Sequence, residues 1–338
     1  MSYPQNEIVV SSRIRLARNY FDLPFSSTNH PDNAQLCIDR ANGALVQDGT
    51  ESHYHFNPLK KMQENERTAL VEQHLISREL LQNSLNGAVL LRNDRQVSVM
   101  VNEEDHLRIQ SVLFGFDLEE ASRLAFEAED QLQEVCAFSF DAQLGYLTAC
   151  PTNTGTGMRA SLMLHLPALT YFKQMGNVTQ SVAKLGLTIR GIYGEGSEAL
   201  GDLYQVSNQV TLGRSEKEIV ESVTAVGNQL IDMEKNLRAR AQNKFNMELK
   251  DRVFRSYGIL RYALQINTDE FMQHWSHLRL GASLKLLPVS LKTADALLTT
   301  AQDAHAKLYC AKNNSTLTTD QARAEIIRSA LNPDIQEG

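Results

Sequence analysis

The sequence predicts an α+β fold, in which an antiparallel sheet is flanked by helices, followed by an all-helical C-terminal domain. Strand-like and helix-like segments mix in the first two thirds of the chain without the regular strand-helix-strand alternation of a doubly wound parallel sheet. After Gly213 no segment has a convincing strand pattern. We therefore predict two domains, residues 1–238 and residues 239–338.

The predicted strands are short segments in which apolar residues alternate with polar ones or form a brief run. Ala88–Leu91 and Val97–Val101 flank a polar break and predict a hairpin. Further strands are predicted at Tyr146–Ala149, Leu187–Tyr193 and Tyr204–Leu212. A glycine-rich loop, Gly191–Gly201, joins the last two.

Helices are predicted between the strands at Glu66–Leu81, Glu119–Glu134 and Ser161–Met175, the last with a break at Pro167. Ser215 and Glu218 form a capping-box pattern. They precede apolar residues at helical spacing, namely Ile219, Val223, Val226, Leu230 and Leu237. Further helix starts are predicted at Asn267-Thr268, at Thr293 and at Thr318 with Gln321.

The composition restricts the classes of partner. The chain has 338 residues with 33 basic and 40 acidic side chains, a net charge of −7, so it lacks the general attraction for phosphate that non-specific nucleic-acid binding needs. No segment resembles a signal peptide or a membrane span. We expect a cytoplasmic protein that binds neither nucleic acid nor membranes. Its four dispersed cysteines are expected to be reduced thiols.

Two histidine pairs have metal-compatible spacing, His53 with His55 and His274 with His277. Neither has a companion carboxylate or thiol at a convincing distance, so we interpret them as surface or core histidines and predict no metal site made by the protein.

Several arginines favour an anion site. Arg13 and Arg15 project from one face if Ser11–Arg15 is extended. Arg108, Arg159 and Arg190 lie in acidic or glycine-rich surroundings. Each alone is typical of a solvated surface, but together they predict a polyphosphate site, because guanidinium groups match phosphate oxygens and keep their charge.

Acidic residues form a second candidate element. Glu103, Glu104 and Asp105 follow a predicted strand end, where their mutual repulsion calls for a compensating partner. The acidic first turn of a helix is the alternative. Glu195 lies in the glycine-rich loop, which is either a lid over a ligand or an ordinary hairpin turn.

Cys150 stands before a polar, glycine-containing turn, Pro151–Gly157. The turn offers hydroxyl and N–H donors to a thiolate, although a buried structural cysteine fits the same residues. The chain has neither a G-x-x-x-x-G-K-[ST] nor a G-x-S-x-G motif, so arginines would have to hold any ATP.

Four segments in this order resemble the catalytic domain of phosphagen (ATP:guanidino) kinases: SSRIRLARN, VNEEDHLRIQ, YLTACPTNTGTGMRASLMLHLPAL and RGIYGEGSEALGDLYQVSNQ. The resemblance runs from about Ile8 to about Leu237 and implies a glutamine-synthetase-like catalytic fold. Only ten residues precede Ser11 here, and a helical domain follows instead of preceding. That order, with the segments VEQHLIS and DRVFRS, is similar to the bacterial protein-arginine kinases.

The resemblance implies ATP as phosphoryl donor, with Mg²⁺ held through ATP. It places the catalytic residues at Glu103, Glu104, Cys150 and Glu195, with Glu104 as the base. The implied ATP-binding residues are Ser11, Ser12, Arg13, Ile14, Arg15, His74, Arg108, Arg159, Ala160, Ser161, Leu162, Met163, Arg190, Gly191, Ile192, Tyr193, Gly194 and Glu195.

The C-terminal segment departs from the R-D-x-x-R-A phosphoarginine motif of protein-arginine kinases. Thr319 stands in place of the first arginine, and Asp320, Arg323 and Ala324 match. A charge-assisted contact worth about 1.5–3 kcal/mol is thereby absent. We expect this pocket to be weakened or lost; the alternative is a capped terminal helix whose Arg323 faces water.

The resemblance further implies phosphorylation of exposed arginines in proteins, a link to a Clp-type unfoldase, an activator protein and a homodimer or larger assembly. The C-terminal domain would then serve substrate binding, phosphoarginine binding and dimerisation. Two alternatives stay open, a small-molecule guanidino (arginine) kinase and a non-catalytic phosphoarginine-binding adaptor.

Overall fold

The computed structural model describes residues 7–25, 31–46, 53–192, 199–244 and 246–332. Its strands are β1 (Val9–Arg18), β2 (Tyr54–Pro58), β3 (Ala88–Arg92), β4 (Val97–Val101), β5 (Leu107–Phe114), β6 (Phe140–Asp141), β7 (Gly145–Tyr146), β8 (Met158–His165), β9 (Leu187–Gly191) and β10 (Leu203–Asn208). Its helices are α1 (Pro31–Leu45), α2 (Glu64–Glu72), α3 (Arg78–Gln82), α4 (Leu118–Val135), α5 (Pro167–Tyr171), α6 (Met175–Ala183), α7 (Glu216–Lys244), α8 (Asn246–Tyr262), α9 (Thr268–Ser283), α10 (Leu291–Thr300), α11 (Asp303–Lys312) and α12 (Thr319–Leu331).

One sheet of eight strands organises the first domain, in the order β2-β3-β4-β5-β1-β8-β10-β9. Every neighbouring pair is antiparallel. The predicted α+β fold with an antiparallel sheet is therefore confirmed, including the hairpin of β3 and β4. Strands β6 and β7 form a separate two-stranded ribbon.

The central strand β1 gives the sheet two different faces. Ile14 and Leu16 are fully buried against a core that includes residues of α1, α4 and α7. Arg13 and Arg15 alternate with them and point to the opposite face. Burial of each such aliphatic side chain contributes about 1.5–3 kcal/mol, so the core face fixes the register of the strand.

The prediction of a helix at Ser161–Met175 is wrong in its first half. Ser161 lies in β8, and the helical segments begin at Pro167 and at Met175. The side chains of β8 are buried on both faces of the sheet, so the strand lacks the alternation that identifies a half-exposed strand. Pro167 does not break a helix but starts α5, where its missing N–H costs nothing.

The predicted single helix at Glu66–Leu81 is also wrong. Helix α2 ends at Glu72, and α3 begins after Ser77, whose side chain accepts a hydrogen bond from Leu80 N. Between them His74 adopts a φ of 58°, a left-handed conformation that interrupts a right-handed α-helix. The helix predicted at Glu119–Glu134 is confirmed as α4.

Three predicted strands are shorter in the structure. Tyr146–Ala149 is extended only as far as Tyr146, and the strand at Leu187 ends at Gly191. The strand predicted to reach Leu212 ends at Asn208, whose side chain bonds Ala160 N at 2.9 Å and Met158 O at 3.0 Å. The amide of Asn208 thus takes over the pairing that a longer backbone ladder would provide.

The helical end of the chain is confirmed, as are the capping boxes at Ser215 and Thr318 and the cap at Asn267. Thr293 is not a cap, because Ser290 Oγ accepts the hydrogen bond from Thr293 N at 3.0 Å. The predicted domain boundary after residue 238 falls inside α7. No helix among the described residues has both the length and the apolar character that crossing a bilayer requires.

The helical domain packs on the sheet through a second apolar cluster. Trp275 and Phe271 of α9 are fully buried in it together with Val10, Met163 and Leu203 of three strands. The sheet and the C-terminal helices therefore share a core at this end of β1, β8 and β10.

Candidate active site

Arginines from four of five consecutive strands share the face of the sheet opposite the main core. Arg15 of β1 pairs in register with Arg159 of β8, and Ala17 pairs with Arg108 of β5. Arg190 of β9 follows on the same face through Gln205 of β10. Because side chains on one face alternate with period two, the register alone brings these cations together.

The arginine cluster is held at an electrostatic cost. Burial and the nearby charges of Arg13, Arg108 and Arg159 lower the pKa of Arg15 well below its ordinary value, while Glu103 opposes the shift. The Nε atom of Arg15 is buried without a hydrogen-bond partner among the described residues. A group of repelling cations with an unused donor is complementary to a polyanion.

Neutral polar side chains position the guanidinium groups. Arg13 donates to Gln205 Oε1 at 3.0 Å, and Arg159 donates to Ser207 Oγ at 3.2 and 3.3 Å. Since hydroxyl and amide oxygens orient Arg13 and Arg159 without cancelling their charge, the positive potential of this face, called the open face below, is retained at these two residues.

His74 lies beside this face, in a small cleft that Ser11, Arg13, Ser161 and Met163 also line. Gln110 Nε2 donates to His74 O at 2.6 Å, which ties the turn after α2 to β5. Burial and then Arg13 lower the pKa of His74 to about 4, so its ring is neutral at physiological pH.

Four of the predicted ATP-binding residues point away from this face. Ser12, Ile14, Ala160 and Leu162 are buried on the core side of β1 and β8. Ser12 Oγ donates to Gly115 O at 2.9 Å and accepts from Asp117 N. Only the alternate residues of the two motifs present side chains to the open face, so these four serve as its framework.

The acidic segment is a turn between β4 and β5 and not the first turn of a helix. Asn102 begins it at a φ of 60°, and its N–H bonds His106 O at 2.9 Å. Glu103 pairs with Arg108, and its side chain is almost completely buried, whereas Glu104 is exposed. Burial, followed by Asp105 and Glu103, raises the pKa of Glu104 above its ordinary value, which suits a proton acceptor.

Asp105 joins this turn to the segment that carries Cys150. Its Oδ1 accepts hydrogen bonds from Ala149 N at 2.7 Å and from Asn19 Nδ2 at 2.6 Å. Cys150 Sγ lies 3.0 Å from Thr152 Oγ1, so the turn does bring a hydroxyl to the thiol. All four cysteines are free, as the sequence predicts.

The same segment is anchored to the end of β1 by Arg18. The buried guanidinium donates to Glu129 at 2.5 Å and to Thr156 O at 3.0 Å, and it stacks on Tyr146. Gly157 has a φ of 59°, and a Cβ there would lie 2.5 Å from Arg18 Nη1. The glycine is therefore required by the close approach of the two segments.

The glycine-rich segment is described at its two ends. Arg190 and Gly191 end β9, and Ile192 donates its N–H to Leu203 O at 2.9 Å. Tyr193, Gly194 and Glu195 lie outside the described residues.

The C-terminal motif lies on a helix that Thr318 caps, as the alternative predicted, but the prediction that Arg323 faces water is wrong. Arg323 is fully buried and donates to Ala301 O and Ile266 O at 2.7 Å each, to Asp320 and to Asp303. Thr319 and Asp320 lie in the first turn of α12, and Ala324 is buried in the helical core. The buried guanidinium thus connects the start of α9 and the end of α10 with α11 and α12.

Sequence reasoning assigned no role to Gln110, Gln205, Ser207 or Asn19, and it placed Asp105 in the acidic group without its contacts to Asn19 and Ala149. Gln110 projects from the same face of the sheet as Arg108, which lies two residues before it in β5. Gln205 and Ser207 of β10 project from the same face as Arg190. The period-two signal that found Arg13 and Arg15 also identifies these three residues once the strands are placed, whereas Asn19 and Asp105 lie outside the strands.

Comparisons with known families cover both parts of the chain. Residues 38–237 match the family described as ATP:guanido phosphotransferase, C-terminal catalytic domain. Residues 246–337 match the family described as protein-arginine kinase McsB C-terminal domain.

Curated relatives extend over nearly the whole chain. A protein-arginine kinase of Caldanaerobacter subterraneus subsp. tengcongensis is 44% identical over 328 residues, 96% of this chain and 97% of that protein. One from Moorella thermoacetica is 42% identical over 334 residues, 98% of this chain and 95% of that protein.

Solved structures resemble a large part of the chain. Lombricine kinase has a TM-score of 0.60 at 28% identity, with 70% of this chain and 68% of that chain covered. The duplicated taurocyamine kinase from Schistosoma mansoni, with bound transition state analog components, has a TM-score of 0.62 at 27% identity, with 70% and 34% covered.

Proposed function

Because this chain belongs to the ATP:guanido phosphotransferase family, with a C-terminal domain of the protein-arginine kinase type, we propose that it transfers the γ-phosphoryl group of ATP to arginine side chains in proteins. The observation that carries the proposal is the cluster of repelling arginines on the open face, with the exposed carboxylate of Glu104 at its edge.

The proposed nucleotide site uses Arg13, Arg15, Arg108, Arg159 and Arg190 to hold the phosphate oxygens. The unpartnered Nε of Arg15 and the mutual repulsion of the guanidinium groups support binding of a polyanion here. Mg²⁺ would be held through the phosphates of ATP, as the resemblance to phosphagen kinases implies. When bound, Mg²⁺ neutralises charge on the β- and γ-phosphates.

The proposed chemistry is an in-line transfer to a guanidinium nitrogen. The nitrogen attacks the γ-phosphorus, an N–P bond forms, and the P–O bond to ADP breaks. The attacking nitrogen loses a proton, which Glu104 accepts. The raised pKa of Glu104 makes it a stronger base than an ordinary carboxylate, and the arginines stabilise the charge on the transferring group.

Three further residues are proposed to orient the acceptor. Cys150 lies next to Thr152 on the segment that Asp105 fastens to the acidic turn, so its thiolate would face the guanidinium without forming a covalent bond to it. Glu103 and Glu195 would complete an acidic clamp; Glu103 already pairs with Arg108 and thus connects the clamp to the phosphate-binding arginines.

The protein substrate is proposed from the curated relatives, which are named protein-arginine kinases, and the biological role only from the family resemblance of the sequence. We expect phosphorylation to mark proteins for Clp-type quality control in the cytoplasm, with an activator protein and a homodimer or larger assembly. With Thr319 in place of arginine, phosphoarginine binding at Asp320 and Arg323 is expected to be weak or absent.

The test is transfer of ³²P from labelled ATP to an unfolded arginine-rich protein, run beside free arginine and the Glu104→Gln variant. A phosphoarginine N–P bond is acid-labile, unlike a phosphoserine ester. Acid-labile label on the protein alone is the expected result. Label on free arginine would indicate a small-molecule guanidino kinase, and no label on either would favour a non-catalytic binding protein.

A further inference from the structure

A cavity of about 640 Å³ lies outside the arginine cluster, where α5, the segment Ala199–Asp202 and helices α7, α8 and α9 meet. Its size is within the range of about 300–1,000 Å³ that binding pockets for small groups occupy. It lies at the junction of the two domains, and none of its described lining residues is a predicted site residue.

A chain of buried hydrogen bonds orients one carboxylate in the cavity wall. Ser276 Oγ donates to Asp202 Oδ2 at 2.5 Å, and His165 Nε2 lies 2.8 Å from the same hydroxyl. Since the hydroxyl proton is used on Asp202, His165 Nε2 is the donor to Ser276, and Nδ1 accepts from Arg279. No donor among the described residues reaches Asp202 Oδ1, so one oxygen of an oriented carboxylate stays available to a ligand.

The charges around the cavity are unbalanced in the acidic direction. Arg238 pairs with Glu234 at 2.8 Å, and Arg252 pairs with Glu248 at 2.9 Å. Asp202, Asp269 and Glu270 also line the cavity and have no ion pair with a described residue. A cationic group would therefore find three carboxylates here without an ion-pair partner among the described residues, two of them in the first turn of α9.

Much of the rest of the wall is apolar and aromatic, with Thr170, Asn267, Gln273 and His277 as its neutral polar members. Tyr171 and Phe172 meet edge to face with ring centroids 5.2 Å apart, and Leu249 and Leu280 continue the surface. A long aliphatic side chain that ends in a planar cation suits such a wall, because its stem packs on the rings and its several N–H donors reach different carboxylates.

We propose that this cavity binds an arginine side chain of a polypeptide, as a contact separate from the phosphate-binding face. The inference deepens the proposed function and rests on it for the identity of the polypeptide as substrate. Leu200 in the cavity wall bonds Ile192 O at 3.1 Å, directly after the strand that carries Arg190. A polypeptide seated in the cavity would thus be retained close to the sheet on which the arginines stand.

The binding test uses a fluorescein-labelled peptide with one arginine between leucines and a twin in which citrulline replaces that arginine, both without ATP. Anisotropy measures affinity, and a matched unlabelled peptide is followed by the fluorescence of Trp275, the single tryptophan of the chain. Its indole lies against the wall, since a Cβ on Gly201 would be 3.3 Å from Trp275 Cε3. The arginine peptide is expected to bind and to change this fluorescence, with the citrulline peptide about tenfold weaker.

Two variants locate the binding. Asp202→Asn keeps an acceptor for Ser276 and tolerates the φ of 54°, and Glu270→Gln changes an exposed residue at the start of α9. Each is expected to weaken arginine-peptide binding about fivefold, and the double variant more. Asp130→Asn, an exposed change on α4, is the control and should leave the affinity unchanged. Equal affinity of wild type and double variant, or an unchanged Trp275 signal, would overturn the proposal.

The two proposals fail separately, because the binding assay contains no ATP. Peptide binding that depends on Asp202 and Glu270, without any phosphoryl transfer, would support the cavity as an arginine site and contradict the proposed kinase activity. Phosphoryl transfer to protein, with no effect of either substitution on peptide affinity, would support the kinase activity and contradict the cavity as an arginine site. Thermal unfolding of each variant checks that it is folded, and Glu270→Gln alone keeps the test decisive if Asp202→Asn is unstable.

Discussion

Glu72 Oε2 lies 2.6 Å from His305 Nδ1, which joins the last residue of α2 to the first turn of α11. The same carboxylate accepts the backbone N–H groups of Ala304 at 2.7 Å and His305 at 3.2 Å. A side chain of the sheet domain therefore caps a helix of the C-terminal domain. Two residues after Glu72, the turn reaches His74 beside the arginine cluster.

We expect Glu72→Ala to lower the free energy of unfolding by about 1–3 kcal/mol, because it leaves the two N–H groups of α11 without their partner. The turn that holds His74 should loosen as well and raise the KM for ATP. Urea unfolding and steady-state kinetics measure the two effects. Glu64→Ala, an exposed change on the same helix, is the control. Reduced stability with an unchanged KM would show that the contact is structural only.

Substitution of the proposed base should separate chemistry from binding. Glu104→Gln is expected to reduce phosphoryl transfer by about 10²-fold or more and to preserve ATP affinity. In the wild type, the rate should fall on the acid side at a pH above the ordinary carboxyl pKa of 4.5, since protonation removes the base. Single-turnover transfer and nucleotide calorimetry test this, with exposed Glu134→Gln as the control. Unchanged turnover would exclude Glu104 as the base.

Loss of one arginine from the open face should act on nucleotide binding. Arg159→Ala is expected to weaken ATP binding by about 10- to 100-fold, the equivalent of one charge-assisted contact. Arg123→Ala, which breaks an exposed ion pair on α4, should leave the affinity unchanged. Calorimetric titration with a non-hydrolysable ATP analogue gives both affinities. If Arg159→Ala binds it as tightly as the wild type, the phosphates do not contact Arg159.

Arg323 should be more important for stability than for ligand binding. Arg323→Ala is expected to lower the free energy of unfolding by about 2–4 kcal/mol, because the buried carbonyl groups of Ala301 and Ile266 lose their donor and the half-exposed Asp303 and Asp320 lose their ion pairs. Arg255→Ala, which removes an exposed pair on α8, should change stability by less than about 0.5 kcal/mol. Similar denaturation midpoints for the two variants would contradict this expectation.

Phosphoarginine binding is therefore better tested at Thr319. Thr319→Arg restores the residue that the motif lacks and should raise phosphoarginine affinity measured by calorimetry in the Glu104→Gln background. Asp320→Asn in the same background should cancel the gain. If the Thr319→Arg variant binds no better than its parent, the difference at this position does not explain a weak pocket.

Histidines should make the fold sensitive to acid. Burial lowers the pKa of His74 from its ordinary value of 6.5 to about 4, and it lowers that of fully buried His165 as well. The unfolded chain binds these protons first, so stability is complete above pH 6.5 and falls as the pH drops toward 4. His74 contributes at most about 3 kcal/mol to this loss. Urea midpoints between pH 7.5 and about 4.5 measure it, and His74→Gln should show a smaller pH dependence.

The arginine side of the site could be predicted from the sequence, because a period of two along β1 already places Arg13 and Arg15 on one face. Strand β8 could not be recognised in the same way, because it is buried on both faces and its apolar run fits a helix equally well. The cap that Glu72 provides joins residues 232 positions apart in sequence, and no local pattern records such a contact. The burial of Arg323 was missed because a charged residue on a helix is typical of a solvated surface.

The alternation along β1 makes the number of residues in the strand as critical as their identity. The strand lies between β5 and β8, with aliphatic side chains on one face and guanidinium groups on the other. Inserting or deleting one residue within it would exchange the two sets, burying cations in the core and exposing leucine and isoleucine where phosphates should bind. Conservative substitutions in this strand are therefore tolerable, whereas a single-codon insertion or deletion would abolish folding and nucleotide binding together.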